Sequence, residues 1–348
     1  MEILIALVGT LILLVLIVFA CSIFTNAIEW VGHRFQLSQG AVGSVLAAVG
    51  TALPETLVPI VAIVSGIMGV SSISVEEGQE IGIGAILGAP FLLSTLAMFV
   101  SAVAVFVFAK QGKRSTQMHV ETHLFKRDLQ YFFAAYALVV LAAFVCTPVM
   151  KMILAGLLVV YYGIYVYRTM TKEHMADSEF ELEALMFVPG SGLESEGKKE
   201  PVTLIILLQV LAGLLGILIC AHLFVDQVKH ISTLFHLNPL VLSLIIAPIA
   251  TELPEKFNSV VWISKKKDVL AIGNITGAMV FQSCIPTAVG LAFTPWVLTP
   301  QAVASVVLTF VSSLLIYFFG FLKEARYMPY VMLLGGLCYV AFLWISFR

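Results

Sequence analysis

The chain consists mostly of long apolar runs that alternate with short polar segments. A membrane-spanning helix needs about 20 predominantly apolar residues, and ten runs meet that requirement. They lie at roughly 3–25, 40–65, 80–108, 129–147, 149–168, 202–225, 239–263, 269–293, 300–320 and 327–346. Because these runs are about twice as long as a membrane β-strand, the pattern predicts an all-α, polytopic membrane protein with ten transmembrane helices.

The composition supports this fold class. Of the 348 residues, 60% are hydrophobic and 11% are charged, whereas charged residues make up about 25% of an ordinary soluble domain. The balance of 19 Lys and Arg against 21 Asp and Glu leaves no basic footprint for nucleic acid. We therefore exclude a soluble enzyme, a disordered protein and a nucleic-acid binder, and we expect a lipid bilayer around most of the chain. The first run is longer than the roughly 7–15 apolar residues of a signal peptide, so we expect it to be retained.

Lysines and arginines in the loops predict the orientation in the membrane. Fifteen of them lie in one set of alternate loops, whereas the opposite set holds Lys151, Lys229 and Arg348. Because cytoplasmic loops carry the excess of positive charge, this pattern predicts that both termini lie outside. We expect an integral plasma-membrane protein, and the compact chain is typical of a prokaryote.

The chain repeats part of itself. Residues 50–55 read Gly-Thr-Ala-Leu-Pro-Glu, and residues 250–255 read Ala-Thr-Glu-Leu-Pro-Glu. Downstream, residues 83–89 read Ile-Gly-Ala-Ile-Leu-Gly-Ala, and residues 272–278 read Ile-Gly-Asn-Ile-Thr-Gly-Ala. Five predicted spans separate the two copies, so the two halves have opposite orientations. Two inverted five-helix repeats are typical of secondary transporters, whose ion site lies at the repeat interface.

The repeats divide the chain into three parts. Residues 1–168 form the first five-helix repeat, residues 169–200 a cytoplasmic linker and residues 201–348 the second repeat. The linker is polar and acidic and contains glycine, so we expect a solvated tether that tolerates shortening. A regulatory cation site there is the alternative, although the acidic residues lack EF-hand spacing.

Two glutamates within apolar runs are the strongest candidates for function. Glu55 and Glu255 end the two repeated motifs. A charged side chain at the centre of a membrane helix costs about 2.5–3.5 kcal/mol on insertion scales. Two carboxylates that meet at the membrane midplane repel each other unless a cation or proton lies between them. The motifs therefore predict a cation site.

Each motif supplies further oxygen ligands. The proline before each glutamate has no N–H, so the carbonyl four residues earlier, that of Gly50 or Ala250, loses its helical partner. Thr51 and Thr251 lie one turn before the glutamates on the same helix face. Carboxylate, carbonyl and hydroxyl oxygens are the ligands that hard cations such as Ca²⁺ accept.

Glycines in the matching segments downstream of the two motifs predict close helix packing. Gly82, Gly84 and Gly88 lie in the third run, and Gly273 and Gly277 lie in the eighth. Small residues one turn apart let membrane helices approach closely. We expect them to bring the third and eighth spans against the second and seventh; direct ligation by their carbonyls is the alternative.

The repeated motifs resemble those of the cation/calcium antiporter superfamily, the sodium/calcium exchangers. The two repeats of that family read Gly-Thr-Ser-Leu-Pro-Glu on one span and Gly-Asn-x-x-Gly-Ser-Asn-x-x-Asn/Asp on the next. In this chain the repeats cover Gly50–Leu93 and Ala250–Gln282. The resemblance implies ten spans in two inverted repeats and an exchange of Ca²⁺ for Na⁺.

The chain departs from the family pattern at several expected ligands. Glu55, Glu255, Thr51 and Thr251 match the motif, and the second repeat keeps Asn274 and has Gln282 at the closing Asn/Asp position. Apolar residues replace family hydroxyls and amides at Ala52, Ala85, Ala89, Leu93 and Ala278. The second repeat therefore keeps more polar oxygen than the first, and fewer separate Na⁺ sites are expected.

Glu252 replaces a motif serine and lies one turn before Glu255. Neighbouring carboxylates repel when both are ionised, which favours a shared proton. Glu252 either lines the ion site or pairs with a basic group. We expect a secondary active antiporter, not an enzyme, that exchanges Ca²⁺ for Na⁺ or H⁺, with inorganic cations as partners and no cofactor beyond the transported ions. An exchanger of another cation and a non-transporting scaffold or sensor stay open as alternatives.

Overall fold

A computed structural model describes residues 2–34, 47–69, 73–144, 147–172, 183–192, 199–235, 237–320 and 322–347. Within these ranges the regular secondary structure is entirely helical. The all-α fold class predicted from the apolar runs is therefore confirmed.

Six α-helices lie in the described residues of the first half. They are α1 (Glu2–Arg34), α2 (Ala47–Met68), α3 (Val75–Leu92), α4 (Met98–Lys110), α5 (Thr122–Ala143) and α6 (Pro148–Lys172). A π-helical turn, Leu93–Ala97, joins α3 directly to α4. The second half continues with α7 (Thr203–Phe235), α8 (Pro239–Ser264), α9 (Asp268–Phe293), α10 (Pro300–Leu315), a second π-helical turn (Ile316–Gly320), α11 (Leu322–Ala325) and α12 (Met328–Ser346).

Seven helices of the described chain are long and apolar enough to cross a membrane. These spans are Val8–Ile28, Val75–Lys110, Pro148–Thr169, Thr203–Phe235, Ala271–Phe293, Pro300–Gly320 and Met328–Ser346. Shorter apolar helices cover Glu55–Met68 and Pro239–Ile249. The arrangement of ten spans in two inverted repeats stays a prediction.

Several helix starts follow from local sequence. Ser74 and Glu77 form a capping box at α3, in which the Ser74 hydroxyl accepts from the Glu77 N–H and the Glu77 carboxylate accepts from the Ser74 N–H. The Asn238 side chain caps α8, and Thr299 caps α10. Each of those two caps precedes a proline, which is favoured in the first turn because its missing N–H has no helical partner there.

Glycines on α3 allow close contact with both α2 and α8. A Cβ at Gly82 would collide with the Ile63 side chain of α2. A Cβ at Gly84 or Gly88 would overlap the carbonyl oxygens of Leu240 or Leu244 on α8. These glycines therefore have the predicted packing role between the third span and the second and seventh.

The two glycines of α9 have aromatic neighbours on α5 and α6. Phe125 of α5 is the nearest neighbour of Gly273, at 3.6 Å from an ideal Cβ, and the Tyr165 hydroxyl of α6 lies 3.7 Å from that of Gly277. α9 also contacts α2 and α8. The role of these two glycines in that contact stays a prediction.

Residues 183–192 of the linker are docked between α1 and α7. The Trp30 indole N–H donates to the Glu183 carbonyl at 2.9 Å. The Asn26 amide oxygen accepts from the Met186 N–H at 3.0 Å and from the Gln209 amide at 2.8 Å. Leu185 is fully buried in a cluster with Trp30. This segment therefore differs from the expected solvated tether, because it satisfies buried polar groups of both helices.

Candidate functional site

The candidate site lies on α2, α8 and α9, three helices that contact one another. Glu55 on α2 and Glu252 on α8 are both buried, with 4% and 0% of their surfaces exposed. Gly50 and Ala250 lie within the helical stretches of α2 and α8. The side chains of Thr51, Thr251 and Glu255 lie outside the part of the chain that the structure describes.

Glu252 and Gln282 are brought together from two helices. The Gln282 amide nitrogen of α9 donates a hydrogen bond to one carboxylate oxygen of Glu252 on α8. Both side chains are buried. The opposite orientation of the amide would place two oxygens in contact, so the carboxylate determines which way the amide points. The sequence places both residues in the site, and the structure makes them direct partners.

The orientation of Gln282 leaves an oxygen available. Its Oε1 atom is buried and accepts no hydrogen bond from the residues that the structure describes. A buried amide oxygen without a donor costs about 1–3 kcal/mol, and a cation would satisfy it. Gln282 can therefore bind a carboxylate through its nitrogen and a cation through its oxygen.

Asn274 lies apart from this pair. It precedes Gln282 on α9 by roughly 12 Å along the helix axis, at 1.5 Å for each residue. Its amide nitrogen is buried without an acceptor among the described residues. The two amides are too far apart along the helix to ligate one ion together, so Asn274 is separated from the centre formed by Glu252 and Gln282.

The first repeat is apolar at the position that corresponds to Gln282. Leu93 is fully buried and begins the π-helical turn between α3 and α4. The hydroxyl of the next residue, Ser94, donates to the carbonyl of Phe91 at 3.1 Å, and the Ser94 carbonyl accepts from Ser312 of α10 at 2.6 Å. π-Helical turns are frequent at functional sites. The site is therefore asymmetric, with its polar side chains concentrated in the second half.

A buried carboxylate on α5 was not predicted from the sequence. Asp128 accepts a hydrogen bond from the Thr276 hydroxyl of α9 at 3.1 Å and lies 3.2 Å from a guanidinium nitrogen of Arg127. Asp128 stands at the edge of an apolar run among Lys126 and Arg127, where the charge pattern indicated a loop. The sequence pattern that could have identified Asp128 is an acidic residue at the start of a span, followed by an apolar helix face.

A buried ion pair fixes the start of α9. Both guanidinium NH₂ groups of Arg114 bind the Asp268 carboxylate, at 2.6 and 2.8 Å, and both side chains are almost fully buried. Arg114 also donates to the Ile263 carbonyl of α8 at 2.9 Å. This bidentate geometry joins the segment after α4 to the α8–α9 turn and so holds the helix that carries Gln282.

The apolar helices and the buried carboxylates define an integral membrane protein with a polar centre. A family model described as sodium/calcium exchanger protein matches residues 5–171 and 205–348, and the chain belongs to that family. The resemblance indicated by the repeated motifs is therefore confirmed. The family consists of exchangers, so a transport role rather than an enzymatic one is supported.

Individual relatives share the fold at low sequence identity. An uncharacterized membrane protein of Methanocaldococcus jannaschii, MJ0091, is 25% identical over 314 residues, which is 90% of each chain. The crystal structure of an H⁺/Ca²⁺ exchanger, CAX, matches 98% of this chain and 88% of its own, with a TM-score of 0.67 and 18% identity. The sodium-calcium exchanger NCX_Mj matches 98% and 99% of the two chains, with a TM-score of 0.58 and 22% identity. At these identities the two structures show the fold alone.

Proposed function

We propose that this protein is a secondary active antiporter that exchanges Ca²⁺ for Na⁺ or H⁺ at a membrane-midplane site formed by the two Thr-x-Leu-Pro-Glu motifs. The observation that carries the proposal is the burial of carboxylates on both motif helices, Glu55 on α2 and Glu252 on α8. A family of exchangers and the exchanger fold support it.

Charge balance explains why such a site would exchange ions rather than leak them. Buried carboxylates are costly unless a cation or proton neutralises them. Ca²⁺ would balance Glu55 and Glu255. When Ca²⁺ leaves, the empty site carries at least two negative charges, and moving it past the hydrocarbon core costs several kcal/mol on insertion scales. The site therefore switches readily from one side of the membrane to the other only after it has bound another cation, which is the requirement for antiport.

Glu252 and Gln282 extend the site in the second repeat. A third carboxylate exceeds the charge that one Ca²⁺ can balance, and the excess favours a proton or Na⁺. Gln282 donates to Glu252, so the two side chains would act together in the site. Na⁺ and H⁺ both stay candidates for the counter-ion.

Two alternatives have specific support. Apolar residues at ligand positions, above all the buried Leu93, favour a degenerate site in a scaffold or sensor. The same losses of ligands would suit an exchanger with another cation selectivity.

As part of our proposal, both termini lie outside in a prokaryotic plasma membrane, which the distribution of Lys and Arg supports.

Reconstitution in proteoliposomes tests the proposal. We expect Ca²⁺ uptake to be driven by an imposed outward Na⁺ or H⁺ gradient, applied separately, in the unmodified protein. Glu55→Gln and Glu255→Gln should each reduce uptake to the level of empty vesicles, because each removes one of two charges with little change in size. Glu76→Gln, an exposed carboxylate at the start of α3, is the matched control and should retain uptake.

The outcomes separate the alternatives. Wild-type uptake in Glu55→Gln or Glu255→Gln would overturn the site. Absence of uptake under either gradient, with intact unfolding behaviour, would favour the scaffold or sensor. Uptake of another divalent cation in place of Ca²⁺ would change the substrate and retain the antiport mechanism.

A further inference from the structure

The docked segment, residues 183–192, reaches the level of an apolar span. The span in α1 covers Val8–Ile28, and at 1.5 Å for each residue it is about as long as the hydrocarbon core of a bilayer is thick. Asn26, whose side-chain amide bonds to the segment, lies inside this span. The ion pair of Arg34 with Glu200, at 2.9 Å, lies roughly 12 Å further along α1. The segment therefore extends from this charged layer back to the edge of the hydrocarbon.

The backbone of the segment has the hydrogen bonds that an apolar environment requires. The N–H groups of Met186 and Phe187 donate to side-chain oxygens of the two flanking helices, at 3.0 and 2.8 Å. These oxygens belong to Asn26 of α1 and Gln209 of α7. The N–H of Leu185 donates to a serine hydroxyl within the segment at 2.8 Å. Non-helical backbone is tolerated at membrane depth only where protein groups replace water, which explains two amide side chains in apolar helices.

Two large apolar side chains of the segment point away from the protein. Met186 is 41% exposed and Phe187 is 47% exposed, whereas Leu185 is buried between the helices. The Phe187 N–H bonds to Gln209, so both side chains stand at the level of that residue on α7. Exposed leucines flank it there, and exposed apolar side chains of a spanning helix face lipid. They are Leu207, Leu208 and Leu211. The segment therefore continues an apolar surface of α7.

We propose that Met186 and Phe187 insert into the bilayer at the boundary between headgroups and acyl chains, so that residues 183–192 act as an interfacial anchor. Apolar side chains bind a membrane at this boundary by leaving water, while polar groups of the same element stay on the other side. The partner is the leaflet at the Arg34 end of α1, which is the cytoplasmic leaflet in the predicted orientation. The proposal requires that α1 and α7 span the membrane, and it is independent of which ions are transported.

Photocrosslinking of the unmodified protein in lipid nanodiscs tests the contact with lipid. The probe is a phosphatidylcholine that carries a diazirine on one acyl chain, and peptide mass spectrometry locates the adducts. We expect adducts on the peptide that contains Met186 and Phe187. The exposed residues 111–113 are the control and should carry none, because they follow the apolar span that ends at Lys110.

Access to water provides a second measurement in the same nanodiscs. Phe187→Cys and Lys199→Cys each place a thiol at an exposed position of the linker, and the reagent is a sulfonated maleimide that does not cross membranes. Peptide mass spectrometry distinguishes the new thiols from the five native cysteines. We expect position 187 to react about tenfold or more slowly than position 199, because a charged reagent is excluded from the apolar layer.

The two measurements together determine what covers the segment. The proposal requires lipid adducts on residues 183–192 and slow modification of Phe187→Cys. Modification of that variant at the rate of Lys199→Cys would overturn the proposal, since the segment would then face water. Slow modification without lipid adducts would also overturn it, because protein, either another part of this chain or a second copy, would then cover the two side chains.

Discussion

At the scale of single residues, Glu252 carries the sharpest difference from the family motif. It stands at the position of a serine, and its carboxylate is buried against the Gln282 amide. In the proposed site it would be a third carboxylate beside one divalent cation. The excess negative charge would then be balanced by a proton or Na⁺, which would connect Glu252 to the counter-ion.

We predict that Glu252→Ser weakens the pH dependence of Ca²⁺ flux. The serine hydroxyl cannot titrate in the range from pH 6 to about 8.5, and it leaves two motif carboxylates to balance one Ca²⁺. The measurement is the pH–flux profile in proteoliposomes under an H⁺ gradient, with Glu76→Gln as the control. A profile in Glu252→Ser that matches the unmodified protein would remove Glu252 from proton coupling.

The residues differ in how far the sequence could predict them. Glu55 and Glu255 were predicted inside the membrane because they interrupt apolar runs, and Glu55 is buried. For Glu252 the sequence left two environments open, the ion site or a basic partner. The contact between Glu252 and Gln282 could not be derived, since it depends on how α8 and α9 are rotated about their axes. Asp128 was missed because a carboxylate next to two cations at the end of a run has the same pattern as a loop.

At the scale of elements, close approach of α3 and α8 is the feature with the clearest energetic consequence. The backbones of the two helices contact each other at Gly84 and Gly88, and the Ser243 hydroxyl of α8 donates to the Ile81 carbonyl of α3 at 2.7 Å. Because lipid removes much of the hydrophobic driving force between helices, such packing and hydrogen bonding hold them together.

We predict that Gly88→Ala destabilises the protein by about 1–3 kcal/mol, because the new methyl group overlaps the Leu244 carbonyl and overpacking costs that much. Gly156→Ala on α6 is the matched control, since no atom of another described segment lies within 4 Å of a Cβ there. That variant should be neutral or stabilising by up to about 1 kcal/mol. Thermal unfolding in detergent compares them, and equal unfolding temperatures would contradict the packing assignment.

Hydrophobic runs located the helices well but not all of their ends. The predicted spans ended near residues 25 and 225, whereas α1 continues to Arg34 and α7 to Phe235. In α1 the added part contains Asn26 and Trp30, whose side chains bind the docked linker segment. Prediction from apolar runs places the end of a helix where the apolar residues end. It cannot show that a polar extension is stabilised by contacts with another segment.

At the scale of the whole molecule, the two halves are joined by more than a tether. α1 and α7 pack along each other, and residues 183–192 lie between them. The Gln209 amide of α7 bonds to Asn26 and to the Ile23 carbonyl of α1, at 2.8 and 3.0 Å, and its oxygen accepts from the Phe187 N–H at 2.8 Å. One buried side chain thus connects both halves and the segment between them.

We predict that the two parts of the linker tolerate change differently. Replacing residues 173–182 by a Gly-Ser sequence of equal length should leave the unfolding temperature and Ca²⁺ flux close to those of the unmodified protein. The same replacement of residues 183–192 should destabilise the protein by about 3 kcal/mol or more. It removes the buried Leu185 side chain, at a cost of about 2–5 kcal/mol.

The matched lengths separate docking from tethering, because both replacements keep the same number of residues between the two halves.

A single substitution in α1 provides a second test of the docked segment. Asn26→Ala leaves the Met186 N–H without its acceptor and removes one of the two acceptors of the Gln209 amide, at about 1–3 kcal/mol for an unsatisfied buried donor. It should therefore reproduce part of the loss caused by replacing 183–192. If replacement of 183–192 and of 173–182 had equal effects, residues 183–192 would act as a tether despite their contacts. If Asn26→Ala also unfolded at the wild-type temperature, the hydrogen bonds of this segment would contribute nothing to stability.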